Sequence, residues 1–138
     1  MDLRKITADF TVSPQIEPED VGAIADAGYR AILCNRPDGE EFGQCACDAI
    51  ETAAVAAGLA FRSVPISSGM VTEADMVDFR AALDELPGPI LAYCRSGTRC
   101  TMLWSIAQMG QMEPQDIVSA AAGAGYDMSG IVAQMRRS

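Results

Sequence analysis

The 138-residue chain is 49% apolar and 21% charged and carries a formal net charge of −9. That length and balance predict one globular domain, residues 1–138, with a packed core. The acidity excludes partners met by neutralising phosphates, so neither nucleic acid nor an anionic membrane surface is expected. No apolar run approaches the roughly 20 residues of a membrane-spanning helix. Met1-Asp2-Leu3-Arg4-Lys5-Ile6 lacks the long apolar stretch of a signal peptide, so the cytoplasm is the expected compartment. Thiols stay reduced there, and five cysteines, an odd number, read as free thiols rather than a disulfide framework. Histidine is absent and Cys45-Ala46-Cys47 lacks the C-x-x-C spacing of a structural zinc site, so neither metal nor cofactor is expected.

Two short extended segments, Lys5–Ala8 and Phe10–Ser13, open the chain and end at Pro14. Glu17-Pro18-Glu19-Asp20 starts a helix, because proline suits the first helical position and carboxylates face the positive end of the dipole. Val21, Ile24 and Ala25 form its apolar stripe, and Gly28 ends it. Arg30–Asn35 reads as a buried strand, followed by the polar loop Arg36–Glu41. A second helix over Gln44–Ala57, ended by Gly58, carries Cys45 and Cys47. Ala60–Ile66 is the next strand and Ser67-Ser68-Gly69 the next loop. Thr72-Glu73-Ala74-Asp75 caps a helix whose Met76, Phe79, Leu83 and Leu86 share one face. Pro87-Gly88-Pro89 breaks it, and the strand Ile90–Tyr93 runs directly into Cys94. Thr101–Ala107, apolar almost all round, reads as a buried helix. Glu113-Pro114 opens another, and Asp127 caps a last one through Ile131, Val132 and Met135. Strands alternating with helices predict an α/β fold with a mostly parallel, four- to five-stranded sheet flanked by helices. Ligands of such sheets bind beyond the carboxyl ends of the strands, where Cys94, Asn35-Arg36 and Ser67-Ser68 fall.

Cys94-Arg95-Ser96-Gly97-Thr98-Arg99 joins the last strand to the buried helix. There, successive backbone N–H groups curl about one point, and the helix dipole adds positive partial charge. Gly97 permits the curl, Ser96 and Thr98 add hydroxyl donors, and Arg99 adds a fork of donors suited to an oxyanion. A cysteine at the base of such a nest has a lowered pKa, so Cys94 is the predicted nucleophile. Cys34, Cys45 and Cys47 read as packing residues. Cys100 reads either as packing at the helix start or as a thiol that resolves an oxidised Cys94.

Protein tyrosine phosphatases have a similar pattern but space cysteine and arginine as C-x5-R. Here the spacing is C-x4-R, and Cys100 stands at the position of the phosphatase arginine. The run Cys94–Arg99 is similar instead to the active loop of rhodanese-type sulfurtransferases, whose cysteine carries a persulfide. Phosphate ester cleavage also benefits from an acid that protonates the leaving oxygen. Ser67-Ser68-Gly69-Met70 offers no carboxyl group for that, which leaves Asp38 as the candidate. Sulfite and thiolates depart without protonation.

Val12-Ser13-Pro14-Gln15, Cys34-Asn35-Arg36-Pro37-Asp38, Ile66-Ser67-Ser68-Gly69-Met70-Val71-Thr72, the stretch Leu91–Arg99 and Ala124-Gly125-Tyr126-Asp127 together resemble one bacterial family. It is the beta-lactamase-hydrolase-like or phosphatase-like family, also described as a sulfur transferase family. The resemblance implies a cysteine-phosphatase-like α/β fold, of the dual-specificity type, with a rhodanese-length loop. Members occur alone or fused to a metallo-β-lactamase-like persulfide dioxygenase, which implies sulfide or persulfide detoxification and such a dioxygenase as a partner. Some relatives are described as phosphatases with a seven-residue loop.

The leading expectation is therefore a sulfurtransferase that moves sulfane sulfur from thiosulfate or a persulfide to a thiol or cyanide. Its small anionic donor is attacked by Cys94 and bound by Arg99, with Ser96, Gly97 and Thr98 stabilising the persulfide, Arg95 assisting at the rim, and Arg36 either contributing from the neighbouring loop or held in a structural salt bridge. The alternative is a cysteine-dependent protein or aryl phosphatase with a phosphocysteine intermediate and Asp38 as general acid. A second alternative is a non-catalytic redox module in which Cys94 and Cys100 interconvert between dithiol and disulfide.

Overall fold

The computed structural model describes residues 1–67 and 69–136. Its strands are β1 (Arg4–Lys5), β2 (Phe10–Ser13), β3 (Ala31–Cys34), β4 (Ala60–Ser63) and β5 (Ile90–Tyr93). Its helices are α1 (Val21–Asp26), entered through a 3-10 turn at Pro18–Asp20, then α2 (Cys47–Ala56), α3 (Glu73–Glu85), α4 (Thr98–Gln108), α5 (Pro114–Gly123) and α6 (Ser129–Arg136). The strands form one five-stranded sheet in the order β1-β2-β5-β3-β4. Only β1 runs antiparallel, against β2; the other neighbours are parallel, as the alternation of strands and helices predicts.

Side-chain alternation along the central strands divides the core into two layers. Ala31 and Leu33 of β3, with Ile90 and Ala92 of β5, pack against α3, α4, α5 and α6. Ile32, Cys34, Leu91 and Tyr93 pack on the opposite face against α1 and α2. Strands buried on both faces favour apolar residues at successive positions, which is why β3 and β5 read as continuous hydrophobic runs. Phe10 lies at the centre of the larger layer, stacked on Trp104 and edge-on to Phe79, both at 6.3 Å between ring centroids.

Local chemistry sets several boundaries. Thr72 accepts from Asp75 N while Asp75 returns a bond to Thr72 N, so α3 starts where the capping pattern predicts. Asp127 accepts both the N–H and the hydroxyl of Ser129 and so organises the start of α6. The expected helix over Gln44–Ala57 begins later, at Cys47. Gln44 is occupied elsewhere: its amide oxygen accepts from Glu40 N and Glu41 N, and its nitrogen donates to Pro37 O. Cys45 therefore precedes the helix rather than sitting on it. The first strand is likewise displaced to Arg4–Lys5, because Ile6 and Thr7 turn back to donate to Phe10 O.

Strand β5 lies in the middle of the parallel block, between β2 and β3, so its carboxyl end opens at the centre of one edge of the sheet. Replacing the fully buried Phe79 with alanine is expected to cost about 3–5 kcal/mol of stability, because the T-shaped contact with Phe10 and the surrounding packing cannot close over the void. Urea unfolding of Phe79→Ala measures it; a midpoint equal to that of the wild type contradicts this account of the core.

Candidate active site

The chain leaves β5 at Tyr93 and enters α4 at Thr98, so residues 94–97 must reverse from extended to helical backbone within one short turn. Gly97 makes this possible. Its φ is +89°, in the left-handed region that side chains disfavour, and it forms the N-cap of α4. A Cβ at this position would also run into the Tyr126 hydroxyl. The loop is pinned on several sides: Cys94 N donates to Ser13 O, Gln15 N to Arg95 O, Tyr126 Oη to Ser96 O at 3.0 Å, and Thr101 Oγ1 to Gly97 O at 2.8 Å.

Within this turn Gly97 N donates to Cys94 Sγ at 3.1 Å. The Cys94 pKa is lowered to about 5. The largest cause is a hydrogen bond from the Cys100 thiol; burial opposes the shift, and backbone N–H groups of Cys100, Ser96 and Gly97 reinforce it. Cys100 is fully buried, and burial pushes its own thiol well above the usual range. It thus stays protonated and keeps its hydrogen for Cys94. The other buried thiol, Cys34, is pushed up to about 12 by burial and stays neutral. Cys45 and Cys47 are partly exposed, and all five cysteines are free.

Above the sulfur is a cavity of about 530 Å³ lined by Glu40, Gly69, Cys94, Arg95, Ser96, Thr98, Arg99 and Met102. Every residue predicted from Cys94 to Arg99 therefore lies on this wall except Gly97, which is buried beneath it. Ser96 Oγ donates to Thr98 Oγ1 and accepts from Thr98 N, so both hydroxyls sit at the mouth of the turn. Ser68 lies outside the described residues.

Arg36 and Asp38 lie outside the cavity wall, and Arg36 takes the structural salt-bridge alternative. Arg36 is 4% exposed and is not among the cavity residues; it donates to Gln15 Oε1, Glu40 Oε1 and Glu41 Oε1 at 3.0, 2.9 and 2.7 Å. It holds the β3–α2 loop together from inside. Asp38 accepts from Cys47 N at 2.8 Å, supplying the cap that Ala46 cannot give to α2. Its carboxylate is committed to a helix end, and Asp38 is not among the cavity residues either.

Sequence reasoning passed over Glu40, Glu41 and Tyr126. Glu40 ion-pairs with Arg36 and Arg99, and Glu41 with Arg36 and Arg95. Burial acts to raise the Glu40 carboxyl, but hydrogen bonds and charge from Arg36 and Arg99 outweigh it and hold the group below the ordinary carboxylate range. Glu40 is therefore ionised at neutral pH. The available signal was the pair of adjacent glutamates closing the Arg36–Glu41 loop, which by charge alone reads as a solvated turn.

Among the described residues no group of three or more histidine, cysteine, aspartate or glutamate side chains is arranged to hold a metal ion. No helix among them is long and apolar enough to cross a membrane. The Cys94 environment predicts a titration: alkylation by iodoacetamide should rise with pH around a midpoint of about 5. Cys100→Ala removes the largest stabilising bond to the thiolate, so its midpoint should move upward. Rates followed by mass spectrometry of the Cys94 peptide test this, and an unchanged midpoint in Cys100→Ala refutes the assigned cause.

Comparison with known proteins bears on the family and the fold. The family model of the Beta-lactamase hydrolase-like protein, phosphatase-like domain, matches residues 2–111. A Beta-lactamase hydrolase-like protein from Xylella fastidiosa is 34% identical over 139 residues, covering 99% of this chain and 32% of that protein. The chain thus spans about a third of the length of the curated relatives it matches. A crystal structure of a candidate phosphatase from Neisseria meningitidis shares 31% identity with a TM-score of 0.86, covering 99% of this chain and 98% of the other. The core catalytic domain of a PP-IP phosphatase from S. cerevisiae, solved in complex with citrate, has a TM-score of 0.70 over 99% of this chain and 84% of the other. At 15% identity that likeness is one of fold alone. The fold is that of the cysteine phosphatases, and, with the match running from β1 through the Cys94 loop and all of α4, this chain belongs to the beta-lactamase hydrolase-like family through its phosphatase-like domain.

Proposed function

We propose that the protein is a cysteine-dependent phosphatase that cleaves phosphate monoesters through a phosphocysteine at Cys94. The observation that carries this reading is the Cys94 thiol, ionised above about pH 5 and lining a cavity whose wall includes Arg95, Ser96, Thr98 and Arg99. Phosphatases among the fold neighbours, and the phosphatase-like family itself, support it. The order of expectations drawn from loop length is thereby reversed: the phosphatase alternative has more support than sulfur transfer.

In the first step Cys94 Sγ attacks phosphorus, forming an S–P bond as the P–O bond to the leaving group breaks and the leaving oxygen keeps the electron pair. Loop N–H groups that converge on the sulfur are positioned to take up charge on the phosphoryl oxygens as the thiolate loses its own. In the second step water attacks phosphorus and passes a proton to a phosphoryl oxygen as the S–P bond breaks, so that phosphate leaves with both water protons and the thiolate returns. The same donors that lower the Cys94 pKa make it a good leaving group. A reduced compartment suits a nucleophile that must remain a thiolate.

Protonation of the leaving oxygen is the weak part of the site. Asp38 caps α2, and Glu40, the carboxyl group lining the cavity among the described residues, is held ionised by two arginines. Esters whose leaving group departs as a stable anion, such as aryl phosphates or phosphoric anhydrides, are therefore the favoured substrates. The same lack of a free acid, with the C-x4-R spacing, is the specific observation favouring a second reading, sulfur transfer through a Cys94 persulfide.

Hydrolysis of p-nitrophenyl phosphate tests the proposal. Cys94→Ser should abolish turnover. Asp38→Asn should leave kcat within about threefold, whereas loss of a true general acid costs about 10²–10⁴-fold. Trapped phosphate on the Cys94 peptide supports phosphoryl transfer. An inactive wild type that gains one sulfur atom on that peptide after thiosulfate treatment would establish the second reading instead.

A further inference from the structure

Arg99, the cation nearest to the predicted role of oxyanion clamp, is already engaged by a carboxylate of its own chain. Glu40 Oε1 lies 3.2 Å from Arg99 Nη2, and Glu40 Oε2 lies 3.2 Å from Nη1. Arg99 Nη1 also donates to the carbonyl oxygens of Ile66 at 2.9 Å and Asn35 at 3.4 Å, so that corner of the guanidinium is anchored to backbone. Nε is different: it is buried and has no hydrogen-bond partner, on a side chain 9% exposed. A buried donor left unpaired has given up its bonds to water without replacement.

Nε and Nη2 together form the edge of a guanidinium that grips an oxyanion with two parallel bonds. In this protein the edge is half used, by Glu40 at Nη2. We infer that Glu40 is a built-in competitor for the anion site and sets its preference for dianions. An incoming phosphoryl group replaces the carboxylate at Nη2 and gives Nε its missing acceptor, while Nη1 keeps its hold on Ile66 and Asn35. Glu40 retains Arg36, 2.9 Å from its Oε1, as a partner in either state. A monoanion that displaces Glu40 exchanges one unit of negative charge beside Arg99 for another. A phosphate dianion brings two, and so outcompetes the carboxylate where a carboxylic acid or a sulfate ester does not.

This inference rests on the reading of the site as one for phosphoryl groups, yet phosphate binding tests it without catalysis. Inorganic phosphate is titrated calorimetrically into wild type, Glu40→Gln and Glu41→Gln at pH 8. Glu40→Gln, which keeps the shape and loses the charge, should tighten phosphate about fivefold or more, toward the tenfold that corresponds to 1.4 kcal/mol. Glu41→Gln removes the same charge from a residue paired with Arg36 and the exposed Arg95 rather than with Arg99, and should change it less than about twofold. Weaker binding by Glu40→Gln overturns the inference, since the carboxylate would then be positioning Arg99. Equal tightening by both variants overturns it as well, by reducing the effect to bulk charge, and so does an absence of phosphate binding in all three proteins. Should the glutamine variant melt early, Glu40→Asp supplies the same test: the shorter acid reaches Arg99 less well, so phosphate should again tighten, and unchanged or weaker binding refutes the competition. Failure of the reaction is a separate result. If Glu40→Gln binds phosphate more tightly but no variant hydrolyses an aryl phosphate, the competition stands and the phosphatase reading falls.

Discussion

The hydrogen bond from Gly97 N–H to Cys94 Sγ is the constraint around which the protein is arranged. It exists only because the chain turns from strand to helix in the space between Tyr93 and Thr98, and that turn requires a residue able to adopt a φ of +89°. Once the turn is made, successive N–H groups face one sulfur, and the start of α4 adds its partial charge. The buried surroundings that would otherwise keep a thiol neutral then have the opposite accompaniment: donors whose partner is the charged form. Cys34 and Cys94, both 1% exposed, lie far apart in ionisation, at about 12 and about 5: burial dominates at Cys34, while at Cys94 the Cys100 thiol, joined by the loop N–H groups, outweighs it.

A loop that concentrates donors needs bracing, and the two ends of the chain supply it. Tyr126, between α5 and α6, donates to Ser96 O and fills the space beside Gly97. Arg4 of β1 lies over the Tyr126 ring, 5.4 Å from its centroid, and donates to Ala124 O. Ser13 and Gln15 hold Cys94 and Arg95 from the other side. These contacts give a physical meaning to segments that carry no chemistry of their own, Val12–Gln15 and Ala124–Asp127. Helices α5 and α6 lie beyond the matched family segment but share the same core as the nucleophile loop.

The sheet was legible because its central strands are short apolar runs bounded by proline, glycine and polar residues, and Ile90–Tyr93 has the bounds expected. The turn that carries Cys94 was legible because strand, cysteine, glycine, arginine and buried helix follow one another without interruption. The rest of the site depends on pairings far apart in the chain. Glu40 and Arg99 are 59 residues apart, and nothing in a run of two glutamates marks which arginine will claim them. Asp38 was the candidate acid because the Ser67–Met70 loop offers no carboxyl group; the bond to Cys47 N, nine residues on, gives it a helix to cap. The spacing of cysteine and arginine was read as a statement about sulfur, whereas the arginine is held by Ile66 and Asn35 carbonyls and its reach is set by them.

The nucleophile and its gatekeeping carboxylate grow from separate pieces of scaffold. Cys94 ends a strand clamped between two neighbours, while Glu40 rides on a surface segment tied down by Arg36, Gln44 and Asp38. If Glu40 competes for the anion site as proposed, substitutions between Gly39 and Gly43 retune which anions are admitted while leaving the ionisation of the thiol untouched. A lineage of such proteins could diversify its substrates by editing a handful of loop positions, with the reactive centre inherited intact.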